Sequence, residues 1–105
     1  MLNLSAIMID KNNIVEALKK VSDPELGMDI WSLGLVYDIK IEGKNVIIVM
    51  SLTSPSCPYG DALMDDVRRQ VSSVEGVGEA EIELTFDPPW GPEKMSEEAR
   101  MALGV

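Results

Sequence analysis

The sequence lacks histidine altogether and contains a single cysteine, Cys57, among its 105 residues. Without histidine, the chain cannot build a Ser–His–Asp triad, a Cys–His nucleophile pair or a histidine-based metal site. A lone cysteine offers no disulfide framework, and the opening MLNLSAIMIDKNN has no basic, signal-like region. We therefore expect a protein of the reducing cytoplasm, where thiols stay free.

Aromatic residues, basic residues and long apolar runs are also scarce. Two tryptophans, two tyrosines and one phenylalanine leave most of the packing to aliphatic side chains and seven methionines. No run reaches the roughly 18 apolar residues that a membrane span needs, so none is expected. Nine basic against 18 acidic residues give a net charge of −9. Binding to nucleic acid or to anionic membranes is therefore not expected, whereas solubility and a basic protein partner both fit this charge.

The first half of the sequence predicts a helix followed by a hairpin. Asp10 is placed to cap a helix whose apolar positions include Ile14, Leu18 and Val21, and which should end before Pro24. Alternating apolar and polar residues then predict a strand over residues 35–42. The turn-forming EGKN and the apolar run VIIVMSLT follow, which indicates a hairpin whose second strand is central in a sheet.

The second half predicts a helix, a strand and a short last helix. The helix after Cys57 should bury one apolar face, the strand over residues 79–86 should alternate, and two prolines should stop that strand. The inward positions are Leu63, Val67, Val71 and Val74 on the helix, Ala80, Ile82, Leu84 and Phe86 on the strand, and Met95, Ala99 and Leu103 on the last helix.

The predicted order is thus α-β-β-α-β-α. We expect one two-layer α/β domain over residues 1–105, in which helices pack on one face of a small three- or four-stranded sheet. Residues 1–9 are expected to be flexible. The hairpin followed by a helical crossover is compatible with a mixed sheet or with an antiparallel return, and the pattern leaves both open.

The cysteine lies in TSPSCPYGD, between two prolines at a strand-to-helix transition. Proline suits the first helical position, so Pro58 there would put Cys57 at the N-cap, where the helix dipole favours a thiolate. Asp61 acts in the opposite direction through its negative charge. We expect an accessible, moderately acidified thiol, and the alternative is an inert, half-buried cysteine. One thiolate cannot hold an iron–sulfur cluster alone, so a cluster here would be shared across a dimer or with a partner.

Two further stretches each allow two interpretations. DPELGMDIWSLGLVYDI carries Asp23, Glu25 and Asp29, either as solvated carboxylates on a turn around a core Trp31, or as an acidic lip beside the helix of Cys57. TFDPPWGPEKMS carries Trp90, which either caps the core under the last helix or forms a docking edge for a partner.

These stretches, in the order DPELGMDIWSLGLVYDI, MSLTSPSCPYGD and GVGEAEIELTFDPPWGPEKMSEEAR, resemble the SufT/PaaD-like iron–sulfur cluster assembly family over nearly the whole chain. Eukaryotic relatives of that family belong to the cytosolic iron–sulfur targeting machinery. The resemblance implies a compact α/β fold related to the iron–sulfur scaffold. It also implies a role as an adaptor or carrier, and not as an enzyme, in the maturation of iron–sulfur proteins. PaaD proteins typically carry an additional cysteine-rich tail, which this sequence lacks, so the general assembly role is preferred.

The resemblance also implies which residues act. The cysteine of the family's T-x-x-x-C-P segment falls on Cys57, which would be a transient metal ligand for a shared cluster, with no cofactor tightly bound. The implied partners are an assembly scaffold and client apo-proteins, and the protein is expected to be a monomer or a weak homodimer. The expected groove and partner contacts are Thr53, Ser54, Pro58, Asp61, Asp23, Glu25, Asp87, Pro88, Pro89 and Trp90.

Two other functions remain open at the level of the sequence. An interaction module that never touches metal would use the Trp90 edge and the acidic surface. A thiol redox protein would use Cys57 itself, although no second cysteine is present to resolve an oxidised intermediate.

Overall fold

A computed structural model describes residues 9–105. The sequence predicts that residues 1–9 are flexible, and residues 1–8 lie outside the described residues. Ile9, the one residue of that start within the description, is half-buried and packs against the core.

The described chain folds into three helices, five strands and one 3-10 turn. Its order contains the predicted α-β-β-α-β-α succession, and a small two-stranded ribbon is inserted after the first helix. The elements are α1 (Lys11–Leu18), β1 (Ser22–Asp23), β2 (Met28–Asp29), β3 (Val36–Glu42), β4 (Asn45–Met50), α2 (Gly60–Ser72), β5 (Glu79–Leu84), the 3-10 turn (Pro92–Lys94) and α3 (Glu97–Leu103).

Helix α1 begins where the sequence predicts, because the Asp10 side chain accepts a backbone N–H of the first turn at 2.9 Å. It ends at Leu18 and not near Pro24, which corrects the predicted boundary. The reason is that the next residues join the ribbon: the backbone N–H of Ile30 donates to the carbonyl of Val21 at 2.9 Å. Val21 is therefore buried as predicted, but outside the helix.

The main sheet has the strand order β3-β4-β5 and is mixed. Strands β3 and β4 form the predicted antiparallel hairpin around a turn in which Gly43 has a φ of +64°. Strand β4 is central, as its apolar character on both faces predicts, and pairs in parallel with β5. The parallel pairing is possible because α2 supplies the long crossover connection.

The core lies between the sheet and the helices. Leu63, Val67 and Val71 are buried on α2, whereas Val74 is half-buried beyond the helix end at Ser72. On the last segment Met95 and Ala99 are buried and Leu103 is half-buried, close to the prediction. The longest helix, α2, has 13 residues, and no helix in the described part of the chain is long and apolar enough to cross a membrane.

Strand β5 is shorter and more exposed than the alternation predicts. It ends at Leu84, and only Ala80 of the predicted inward row is fully buried. Leu84 and Phe86 remain 40% and 38% exposed. The physical reason is the position of β5 at the edge of the sheet, where a side chain has a neighbouring strand on one side only.

Candidate functional site

The sheet topology brings the Cys57 segment and the Trp90 segment to the same end of the molecule. Strands β4 and β5 are parallel, so the chain leaves both of them at the same edge of the sheet. The segment after β4 carries Cys57, and the segment after β5 carries Trp90. The backbone N–H of Thr85 donates to the carbonyl of Met50 at 2.9 Å, which holds the two exits side by side.

Two successive turns carry the chain from β4 into α2. The N–H of Cys57 donates to the carbonyl of Ser54 at 3.2 Å, and the N–H of Gly60 donates to the carbonyl of Cys57 at 3.2 Å. The helix begins at Gly60 with Tyr59 as N-cap, so the predicted placement of Pro58 inside the helix and of Cys57 at the N-cap is wrong. The reason is that Pro58 is used in the second turn, which delays the helix. Cys57 therefore lies outside the cap position, from which a helix dipole acts most strongly.

Cys57 is a free, half-buried thiol that packs against the core. Gly60 lies close to the core beside this cysteine. A Cβ at Gly60 would stand 2.8 Å from Cδ1 of Leu52, so a larger residue there would have to displace the end of the Leu52 side chain. The cysteine thus has a fixed backbone setting and a partly accessible side chain.

Asp23 is not the solvated carboxylate of the simpler interpretation, because the residue is only 1% exposed. Its Oδ1 accepts the backbone N–H groups of Glu25 at 2.8 Å and Leu26 at 3.2 Å. The same oxygen accepts the hydroxyl of Tyr59 at 3.1 Å. A buried carboxylate is stable when donors of this kind satisfy it. Asp23 therefore organises its own turn and joins it to the Cys57 segment.

Tyr59 is a site residue that the sequence analysis missed. Its partial burial raises its pKa well above the usual tyrosine value, and its hydrogen bond to Asp23, the charge of Asp23 and the neighbouring Cys57 raise it further. Tyr59 consequently stays protonated and donates its hydrogen bond at any physiological pH. The sequence around Tyr59 does not reveal this role, because its hydrogen-bond partner, Asp23, lies 36 positions away.

Two buried polar atoms of this region have no hydrogen-bond partner in the protein. Within residues 9–105, buried side-chain oxygens without a partner occur at two places, Oδ2 of Asp23 and Oγ1 of Thr53. Buried polar groups are nearly always paired, and the exceptions require a specific explanation. Both exceptions fall on residues that the sequence marks as site residues.

An open cavity of about 410 Å³ lies beside the Cys57 segment. It brings together four predicted contact residues, Glu25, Thr53, Ser54 and Trp90. The remaining lining is apolar and comes from the turn of Leu26 and from the tail, residues 90–105, which contributes Pro92, Met95, Leu103 and Val105.

Trp90 both packs against the core and lines this cavity. Its indole N–H donates to the carbonyl of Leu33 at 2.7 Å, which agrees with its predicted role as a core cap, whereas its role as a docking edge stays a prediction. Trp31, in contrast, is 36% exposed, and its prediction as a core residue is wrong. The flanking Ile30 and Leu33 are the residues of this loop that enter the core, and they leave Trp31 on the outside.

The other residues predicted to contact a partner lie on the surface outside the cavity of Trp90. Pro58 and Asp61 are exposed, as are Asp87 and Pro89. Pro88 is exposed as well, and its carbonyl accepts the hydroxyl of Tyr37 at 2.8 Å. These five residues do not line the cavity of Trp90.

The carboxylates of the first motif do not form a metal site with the cysteine. Asp29 is used locally, since its Oδ2 accepts the N–H of Ser32 at 2.9 Å. Across residues 9–105, no group of three or more His, Cys, Asp or Glu side chains is arranged to hold a metal ion. Cys57 is the one thiol that the site offers.

The profile of the family described as iron–sulfur cluster assembly protein matches residues 11–84, from α1 through β5, and includes Cys57. The chain belongs to this family. The predicted resemblance is thereby confirmed.

Similar proteins of the family extend the match beyond β5. The chain is 42% identical over 95 residues to a Fe-S protein maturation auxiliary factor of Porphyromonas gingivalis, with 90% of each chain covered. It is 42% identical over 96 residues to the Fe-S protein maturation auxiliary factor YitW of Bacillus subtilis, covering 90% of this chain and 94% of that one. A crystal structure of the domain DUF59 from Bacillus anthracis superposes with a TM-score of 0.84 at 43% identity, over 90% of this chain and 91% of that one. The predicted fold class, a small α+β domain, is confirmed.

Proposed function

We propose that this protein is an accessory factor in the maturation of iron–sulfur proteins, acting in the cytoplasm as a carrier or adaptor and not as an enzyme. Membership of the iron–sulfur cluster assembly family supports the general role, as do the relatives named as maturation auxiliary factors. The observation that carries the proposal for this chain is the setting of Cys57. It is the sole thiol, held by two turns at the end of the sheet where the family's other motifs meet.

Cys57 supplies one ligand to a cluster that is cargo. Iron–sulfur clusters are held by about four protein ligands in most proteins, and this sequence offers one cysteine and no histidine. The remaining ligands come from an assembly scaffold, a client apo-protein, a small thiol or a second copy of this chain. A cluster held in this way passes on readily, because most of its ligands already belong to another molecule.

Asp23 and Tyr59 orient the cysteine. Their hydrogen bond of 3.1 Å ties the turn that holds Cys57 to Asp23, the buried last residue of β1. The sulfur is then presented from a backbone that is held on its N-terminal side by the turn from Ser54 and on its C-terminal side by the hydrogen bond of Tyr59. A fixed ligand lowers the entropic cost of forming a shared site.

The apolar cavity beside Thr53 is suited to a partner. A side chain of the scaffold or client that enters it would rest against Trp90 and lie next to the cysteine segment. Aromatic residues in such positions contribute strongly to protein–protein binding. Docking there would place the partner's own ligands near Cys57.

Anaerobic reconstitution tests the role of Cys57. The wild type is incubated with iron, sulfide and glutathione, and compared with Cys57→Ser and with the matched control Ser56→Ala, which changes the exposed neighbour. We expect the visible absorption of a cluster, and its transfer to an apo-ferredoxin, in the wild type and the control but not in Cys57→Ser. Cluster binding and transfer by Cys57→Ser would contradict the proposal.

A second candidate, an adaptor that never binds the cluster, is favoured by the same cavity. It predicts that Cys57→Ala still supports client maturation in cells while Trp90→Ala does not. The leading proposal predicts loss of maturation with Cys57→Ala. Consumption of peroxide by the wild type in the presence of a thiol reductant, and its absence in Cys57→Ala, would instead indicate a thiol redox protein.

A further inference from the structure

The outer edge of β5 is regular and open. Strand β5 pairs with β4 through six consecutive residue pairs without interruption, from Asn45 with Glu79 to Met50 with Leu84. Among residues 9–105, no strand pairs with its other side. The opposite edge of the sheet differs, since β3 carries a register shift between Val36 and Asp38. Such irregularities protect an edge from pairing, and β5 has none.

The hydrogen bonds to β4 determine which backbone groups face outwards. The N–H of Thr85 donates to the carbonyl of Met50 in β4 at 2.9 Å, and the N–H of Glu79 donates at 3.3 Å to the carbonyl of Lys44, the residue before β4. Successive residues of a strand point their backbone groups to opposite sides. The odd-numbered residues therefore bond to β4, and the N–H and C=O groups directed to the open edge belong to Ala80, Ile82 and Leu84.

The side chains along this edge separate by chemistry. Ile82, Leu84 and Phe86 lie on one face, and the last two are 40% and 38% exposed. Glu79, Glu81 and Glu83 lie on the other face and are exposed. Of these three glutamates only Glu83 has an ion-pair partner in the described chain, Lys40 at 3.9 Å.

The glutamates decide what can pair with this edge. Two β5 edges brought together would oppose rows of like charge, which destabilises cross-strand pairs, and each chain carries a net charge of −9. A strand whose basic and apolar residues alternate avoids this repulsion. Its basic side chains would meet the glutamate row, and its apolar side chains would cover Leu84 and Phe86.

We propose that the open edge of β5 binds an extended segment of a partner protein in which basic and apolar residues alternate, and that this segment adds a fourth strand to the sheet. Backbone hydrogen bonds to Ala80, Ile82 and Leu84 supply the pairing, and the two side-chain rows supply the specificity. This surface includes neither Cys57 nor the cavity of Trp90. The proposed strand pairing is therefore independent of the proposed function.

Amide hydrogen exchange tests the pairing directly. The probe is a synthetic peptide of alternating lysine and valine, and the control peptide has the same composition in two blocks. We expect saturating probe to slow exchange at Ala80, Ile82 and Leu84 by about tenfold or more, with a smaller effect at Glu81 and Glu83, which are already bonded to β4. Protection spread equally over odd and even residues, no protection, or an equal response to the block peptide would overturn the proposal.

A charge-reversal pair tests the specificity. Glu81→Lys with Glu83→Lys is compared with Glu97→Lys with Glu98→Lys, which makes the same change in net charge on the exposed first turn of α3. We expect the β5 variant to weaken binding of the alternating peptide by about tenfold or more and the α3 variant to retain most of the affinity. Equal losses in the two variants would attribute the binding to net charge alone and would overturn the proposal. Circular dichroism confirms that both variants are folded.

Discussion

Asp23 and Tyr59 connect strand β1 with the turn before α2, two segments that are far apart in the sequence, through a single hydrogen bond of 3.1 Å. The carboxylate is buried, and its Oδ1 also accepts two backbone N–H groups from its own turn. The hydroxyl has one hydrogen to donate and gives it to this carboxylate. At the scale of single residues, this bond fixes the turn that presents Cys57.

The raised pKa of Tyr59 predicts how stability depends on alkaline pH. In the unfolded chain a tyrosine loses its proton near pH 10, whereas in the folded protein partial burial and Asp23 keep Tyr59 protonated to higher pH. The full stabilisation is therefore present below about pH 10 and declines as the pH rises towards the folded pKa. We expect the free energy of unfolding to fall more steeply above about pH 10 in the wild type than in Tyr59→Phe.

The measurement is urea unfolding at a series of pH values, with Tyr37→Phe as the matched control that removes the chain's other phenol. Parallel pH profiles for the wild type and Tyr59→Phe would show that the environment of Tyr59 does not favour its protonated form.

At the scale of elements, the loop between β2 and β3 and the 3-10 turn fit together through a glycine. Gly34 has a φ of +76°, and a Cβ there would overlap the backbone carbonyl of Lys94. The N–H of Ser96 donates to the carbonyl of Ser32 at 2.9 Å beside it. The close approach of two backbones is what allows the tail to pack against this loop.

Substitution of this glycine should be costly. We expect Gly34→Ala to lower the free energy of unfolding by about 3 kcal/mol or more, from a left-handed conformation plus a backbone clash. Gly27→Ala is the matched control, because Gly27 also has a positive φ, +67°, but a Cβ there meets nothing within 4 Å. Its cost should be about 1 kcal/mol, measured by urea denaturation. Equal costs would mean that the contact with Lys94 is not tight in solution.

The sequence predicted a helix or strand correctly where residues close together in the chain determine it. The cap at Asp10 and the apolar run of β4 are examples, since a helix start and a central strand each have a local signature. The start of α2 was mispredicted because proline fits both a turn and a first helical turn. Gly60 leaves the space in which a Cβ would meet the end of Leu52, and no local sequence pattern reveals this close approach. Burial of Asp23 likewise depends on Tyr59, which is remote in sequence.

At the scale of the whole molecule, Trp90 attaches the tail to the rest of the fold. Its indole N–H donates to Leu33 at 2.7 Å, and its ring lines the cavity beside the Cys57 segment. The family profile ends at residue 84, so this attachment lies beyond the matched span. The tail is nevertheless part of the candidate site, because it forms one wall of the cavity.

The two tryptophans give a matched pair of variants. Trp90→Phe keeps an aromatic ring but leaves the Leu33 carbonyl without its donor, and we expect a loss of about 1–2 kcal/mol in the free energy of unfolding. Trp31→Phe, at a residue that is 36% exposed, should change it by no more than about 0.5 kcal/mol. Circular dichroism follows both unfolding curves without relying on tryptophan fluorescence. A smaller loss for Trp90 than for Trp31 would mean that the tail is not held by this bond.

Because β4 and β5 pair in parallel, we expect the β3–β4 hairpin to form before β5 joins the sheet. The β3–β4 hairpin closes over a short turn, whereas Asn45 meets Glu79 only after the whole α2 crossover is in place. Contacts between residues far apart in the chain form slowly, because closing the loop costs entropy first. During synthesis the hairpin can therefore pair while the chain beyond it is still being made. The cavity beside the Cys57 segment is completed last, after Trp90 has reached Leu33 and after Leu103 and Val105 have joined its lining.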